Sequence, residues 1–103
     1  MTLKHKFGAK PTVLNGIKYH SKLEARYSER LEFLKKSGDI LFYLRQVPFD
    51  LPGKIKFRLD FMEFWQNGDV ILTECKGYMT SDARIKLAQV IDLYNVKINI
   101  VKK

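Results

Sequence analysis

A single cysteine, Cys75, stands in a chain of 103 residues. One thiol can close no internal disulfide and build no cysteine-rich zinc site, so the fold is expected to be independent of oxidation. Histidine is nearly as scarce. His5 and His20 are too few and too poorly spaced for a histidine-based metal centre, and both read as surface or capping residues. No apolar run approaches the ~20 residues needed to cross a bilayer, and Met1-Thr2-Leu3-Lys4-His5-Lys6 lacks the apolar segment of a signal peptide. A soluble, unexported, cytoplasmic protein with no membrane partner is expected. Repeats, low-complexity stretches and long linkers are missing too, which leaves one domain.

Acidic residues are also in short supply. Eleven Asp and Glu face nineteen Lys and Arg, a net charge of +8. Such an excess favours a polyanionic partner through counterion release, and nucleic acid is the first candidate. Solubility alone is the plainer account of a basic chain, and charge does not separate a nuclease from a passive binder. With 46% hydrophobic and 29% charged residues the composition is that of a globular protein.

Residues 1–20 carry Lys4, Lys6, Lys10 and Lys18 without a sustained period, and read as a basic arm ending in a strand or turn at Gly16–Tyr19. The domain proper is expected over 21–103. Ser21-Lys22-Leu23-Glu24 fits a capping box, and Leu23, Tyr27, Leu31 and Leu34 follow at helical spacing until Ser37-Gly38. Ile40–Val47, bounded by Pro48, reads as a strand. From Lys54 to Trp65 the pattern alternates, with Ile55, Phe57, Leu59 and Phe61 on one face and Lys56, Arg58 and Asp60 on the other. Gln66-Asn67-Gly68-Asp69 turns the chain into a returning strand, Val70–Lys76. A second helix, capped by Thr80, Ser81 or Asp82, is expected to run to about Tyr94 with Ile85, Ala88 and Ile91 inward; Val96, Ile98 and Ile100 then form a last strand. Strand, helix, strand implies a parallel crossover. The fold class is therefore an α/β (α+β) sandwich around one mixed four-stranded sheet flanked by helices.

Within this plan Asp60 and Glu74-Cys75-Lys76 fall on successive strands. Two hard oxygen ligands and one ammonium at a single point are what magnesium-assisted phosphodiester hydrolysis requires. Glu74 and Lys76 share a face because they are two apart, while Cys75 faces away. Register decides whether Asp60 joins them. A two-residue Asn67-Gly68 loop would set Asp60 opposite Cys75 and defeat the site. A three- or five-residue connection, or a bulge, brings the two carboxylates together, and this is the expectation. Asp60 and Glu74 would then hold Mg2+ or Mn2+, with the main-chain carbonyl of Cys75 as a third oxygen, and Lys76 would orient water or stabilise charge on the phosphorane.

Other residues admit two accounts. Glu24 has a local role in the capping box, reaching back toward the N–H of Ser21, and also flanks the apolar stripe, from which it can lean over the sheet. Gln46 suits a metal shell or a phosphate, or is merely a polar strand residue. Tyr78, Thr80, Arg84 and Lys86 can present donors to a phosphate backbone, though a solvated helix face explains them as well. Trp65, Phe64 and Tyr43 can stack on bases or fill the core.

The residues Gly16-Ile17-Lys18-Tyr19-His20-Ser21-Lys22-Leu23-Glu24, Gln46-Val47-Pro48-Phe49, Asp60-Phe61 and Glu74-Cys75-Lys76-Gly77 resemble the PD-(D/E)xK nuclease superfamily, and within it a group of small phage-encoded endonuclease-like proteins. Leu59 departs from the proline of the superfamily name, without touching a ligand. The resemblance implies an α-β-β-β-α-β restriction-endonuclease-like core and an active site of Glu24, Asp60, Glu74 and Lys76, with Glu24 on the metal directly or through water. It implies a Mg2+- or Mn2+-dependent DNA endonuclease, serving phage recombination, repair or packaging in the host cytoplasm. The fold alone does not choose the substrate. A core this small leaves no room for a separate sequence-reading domain, which favours structure-selective cutting of branched or junction DNA. Paired cuts would call for a homodimer. The expected DNA-binding set is Lys4, Lys6, Lys18, Gln46, Arg58, Tyr78, Thr80, Arg84 and Lys86. The rival classes are a non-catalytic basic nucleic-acid binder and a small phage scaffold or inhibitor.

Overall fold

The computed structural model describes residues 11–102. Lys4, Lys6 and His5, assigned above to DNA contact or to the surface, lie outside the described residues. The element order is β1 (Thr12–Leu14), β2 (Ile17–Tyr19), α1 (Lys22–Lys36), β3 (Ile40–Leu51), β4 (Ile55–Trp65), β5 (Val70–Cys75), α2 (Ser81–Tyr94) and β6 (Ile98–Val101). Strands β3-β4-β5-β6 form one mixed sheet in that spatial order, with only β5 and β6 parallel. The expected α+β sandwich is thus the fold. Among the described residues no helix is long and apolar enough to cross a membrane.

Residues 12–19, placed by their sequence at the end of a basic arm, form the β1–β2 hairpin. Asn15 and Gly16 both take left-handed φ, 53° and 79°, as a tight two-residue hairpin turn requires. Tyr19 is buried, and its hydroxyl lies 2.6 Å from Ser28 Oγ on α1. Helix α1 opens as expected, with Ser21 Oγ accepting from the Glu24 N–H at 3.1 Å.

Two hydrophobic clusters sit under the two helices. Leu23, Tyr27, Leu31 and Leu34 of α1 pack with Ile40, Tyr43, Phe61, Trp65, Cys75 and Val101. Leu87 and Val90 of α2 pack with Phe57, Leu59 and Leu72. Burial of these side chains supplies the main driving force for the fold. Three expectations need correction here. Strand β3 does not stop at Pro48 but runs on to Leu51, because β3 is an edge strand, where a residue lacking an N–H is tolerated. The inward face of α2 is Leu87 and Val90, whereas Ile85, Ala88 and Ile91 are exposed. Finally, Leu59 and Phe61 join different clusters, so the alternation along β4 is interrupted between them. The register is the same on both sides, Arg45↔Phe61 and Val47↔Leu59, and no residue is inserted. The rung that drops out of the ladder is Gln46/Asp60, and Gln46 carries a left-handed φ of 52°.

Candidate metal centre

The connection between β4 and β5 controls the site. Phe64 pairs with Val70, the Trp65 N–H donates to Asp69 O at 2.8 Å, and the Gly68 N–H donates to Trp65 O at 3.0 Å. Three residues, Gln66–Gly68, therefore make the turn, with Gly68 at φ 97° taking the left-handed position such a turn needs. The ladder ends at Phe61↔Thr73. The next positions on the two strands are Asp60 and Glu74, and hydrogen bonds rather than ladder pairing bring them together.

At that rung side chains replace the backbone ladder. The Asp60 N–H donates to Glu74 Oε1 at 3.0 Å, and the Cys75 N–H donates to Asp60 Oδ2 at 2.9 Å. The sheet forks here, because β4 continues against β3 alone while β5 continues against β6 through Glu74↔Ile100 and Cys75↔Val101. One further bond, Lys76 N–H to Val101 O at 2.9 Å, carries this anchorage past the end of β5. Lys76 Nζ returns to Glu74 Oε2 at 3.1 Å and remains about a third exposed. Cys75 turns its thiol into the α1 cluster. Burial, and then the charges of Asp60, Glu24 and Glu74, push that thiol far above its ordinary range, so it is a neutral core group.

Glu24 reaches the same point from the first turn of α1. It does not return to the Ser21 N–H, as a strict capping box has it; Glu24 Oε1 accepts from the His20 N–H at 2.7 Å instead. The extended Ser21 backbone, φ −154°, leads the chain into the helix one residue after His20. Gln46 then ties the carboxylates together, its Nε2 donating to Glu24 Oε2 at 2.9 Å and to Asp60 Oδ1 at 3.1 Å. Glu24, Gln46, Asp60, Glu74 and Lys76 thus converge.

Glu24, Asp60 and Glu74 are 1%, 7% and 1% exposed. Glu24 and Glu74, withdrawn from water and set against the Asp60 charge, resist ionisation. Burial first, and the Asp60 charge second, raise Glu74 to about 7. The same two causes raise Glu24. Two cations stand nearby: Lys76 in contact with Glu74, and Arg45, whose Nη2 is 3.8 Å from Glu24 Oε2. Three buried carboxyl groups thus share two basic neighbours, and a divalent cation would relieve the burial and the mutual repulsion that hold Glu24 and Glu74 back from ionising. Carboxylate oxygens are the ligand type that hard divalent cations take.

Other predicted contacts spread out. Lys18, Arg58 and Arg84 are exposed on β2, β4 and α2, and Tyr78 is exposed ahead of α2. Thr80 is the N-cap of α2, accepting from the Ala83 N–H at 3.0 Å, and Lys86 pairs with Asp82 at 3.2 Å. Trp65 is tied to the core by Nε1 donating to Glu63 at 3.1 Å, and Tyr43 donates to Glu32. Phe64 stacks on Phe42 with centroids 4.4 Å apart. Two residues near the carboxylates escaped sequence reasoning. Arg45 lies over the Tyr19 ring at 4.3 Å from its centroid, and its Nε is buried without a hydrogen-bond partner. The exposed His20 offers a ring nitrogen that lies with one oxygen each of Glu24 and Asp60, all within 4.8 Å of one another. Its position four residues before Glu24, outside the helix, was the only signal.

Residues 4–103 match the family described as "Protein of unknown function (DUF1064)", and the chain belongs to that family. No curated protein and no solved structure matches it.

Proposed function

We propose that this protein is a divalent-metal-dependent DNA endonuclease of the PD-(D/E)xK type, cutting branched or junction DNA. What carries the reading is one observation: Asp60 and Glu74 meet where the β4–β5 ladder ends, each side chain accepting from a main-chain N–H of the opposite strand, with the Lys76 ammonium 3.1 Å from Glu74. Asp60, Glu74, the Cys75 carbonyl and Glu24 are the oxygens that would hold Mg2+ or Mn2+. When bound, such an ion supplies Lewis acidity at the phosphate and acidifies a water.

The chain's own groups account for the rest. Lys76, partly exposed, places positive charge beside the carboxylates at the rim, where charge develops on a phosphate under attack. Gln46 fixes the spacing of Glu24 and Asp60, and the backbone N–H groups of Asp60 and Cys75 fix the planes of Glu74 and Asp60. Burial keeps these groups in one geometry before substrate arrives. The net charge of +8 favours approach of a polyanion.

The test is incubation with supercoiled plasmid and a synthetic four-way junction in Mg2+, Mn2+ or EDTA, beside Asp60→Ala and Lys76→Ala. Metal-dependent nicking by the native chain, lost in both variants, is expected. Salt-sensitive DNA binding without nicking in any lane would replace this reading with that of a non-catalytic binder. Sedimentation on junction DNA reports whether two copies act together.

A further inference from the structure

The main-chain N–H of His20 is spent on Glu24 Oε1, which leaves the exposed imidazole beside the carboxylate that its backbone holds. Across the same gap, one nitrogen already bridges Glu24 and Asp60. Gln46 Nε2 sits 2.9 Å from the first carboxylate and 3.1 Å from the second, directing its two hydrogens at two acids. A neutral amide so placed lies between two acids, where a cation would be attracted by both. It does so from a left-handed backbone, φ 52°, uncommon for a residue other than glycine and frequent at functional positions.

We propose that the His20 imidazole is a nitrogen ligand to a cation held by Glu24 and Asp60, and that it gives the centre a preference for a transition metal of the Co2+ kind over Mg2+. This rests on the metal-dependent reading of the site and adds a ligand and a selectivity to it. Imidazole nitrogen favours first-row transition metals, whereas Mg2+ keeps to oxygen and water. Ligand bonds of ~2.0–2.2 Å allow opposite donor atoms about 4 Å of separation. The three donor atoms already lie within 4.8 Å of one another, and the His20 ring is exposed. The Gln46 amide nitrogen gives way to the cation, or turns its carbonyl oxygen toward it.

Calorimetric titration of the full chain with Co2+ and with Mg2+ tests this, the visible absorption of bound Co2+ serving as a second readout. His20→Ala and His20→Asn are expected to lose Co2+ affinity by about tenfold or more, to shift the Co2+ spectrum, and to bind Mg2+ as the native chain does. Neither variant touches the backbone bond to Glu24, and thermal melting verifies the fold. Native Co2+ affinity in both variants, with affinity lost in Asp60→Asn, overturns the role of His20 while leaving the metal centre in place. Equal losses of Co2+ and Mg2+ in the His20 variants overturn the selectivity. Native affinity for both metals in Asp60→Asn overturns the metal centre itself.

Discussion

Glu63 and Glu74 are buried to the same degree, 0% and 1% exposed, on neighbouring strands, yet they meet opposite surroundings. Glu63 is enclosed by neutral donors: Tyr27 Oη donates to its Oε2 at 2.6 Å and Trp65 Nε1 to its Oε1 at 3.1 Å. Glu74 faces another carboxylate, a lysine at the rim and a backbone N–H. The first acid is a polar staple joining α1, β4 and the end of the hairpin within the core. The second belongs to a group whose charges are left unbalanced. Burial alone therefore does not mark a functional acid. Its partners do: neutral donors that close a network on one side, like charges with cations at the edge on the other.

The widest gap between the two regions should appear in activity. Asp60→Ala is expected to lower Mg2+-dependent plasmid nicking by at least about a hundredfold, whereas Glu63→Gln keeps the native rate per folded molecule. A matching fall in Glu63→Gln would show that the two acids form one functional unit and dissolve the contrast.

Stability should invert the ranking. Glu63→Ala strips the acceptor from both Tyr27 and Trp65, and each buried orphan costs about 1–3 kcal/mol, so a total of about 3 kcal/mol is expected in urea denaturation with an unchanged m value. Asp60→Ala orphans the Cys75 N–H but relieves the repulsion that raises Glu24 and Glu74, and should cost less. A larger loss in Asp60→Ala would make the centre a structural staple too.

The smallest difference lies in pH dependence without metal. Glu74 holds its proton more tightly in the fold, its value rising from 4.5 to about 7. The folded state thus binds more protons than the unfolded chain between those values, and stability falls as pH rises through that window. Above about 7 both states are ionised and this contribution is flat. Equilibrium denaturation from pH 4.5 to 8 should show a decline of order 1–3 kcal/mol from this group, reduced in Glu74→Gln. Equal slopes in the two proteins would remove Glu74 as the source.

Much of this was legible in the chain. The capping box, the Asp60 … Glu74-Cys75-Lys76 spacing and the parallel crossover are local or periodic signals, and they position both helices, four strands and the facing carboxylates. That the connection is not a two-residue turn was deducible, because only an odd connection or a bulge brings Asp60 to Glu74; its length of three was not. What escaped depended on tertiary partners. Glu63 sits in an apolar run with nothing to announce Tyr27, 36 residues earlier, as its donor. The α2 face was misplaced because Ile85, Leu87, Ala88, Val90 and Ile91 offer apolar residues on several sides, and only the sheet chooses among them. Arg45 and His20 come to the carboxylates through Tyr19 packing and a single turn before the helix, neither of which leaves a repeat to read.

The Gln66–Gly68 turn lies at the surface, six residues from Asp60 and Glu74 along either strand, and touches neither. Surface loops ordinarily drift in both composition and length. This one is held to an odd length. Gln66 is exposed and its main-chain N–H donates to Asp39 O at 2.9 Å, so any residue but proline serves there. Gly68 needs only a residue content with left-handed φ, but one residue gained or lost would shift the pairing of Asp60 and Glu74 by one. In descendants of this chain that keep Asp60 beside Glu74, the turn should vary in spelling, and in length only by two residues at a time.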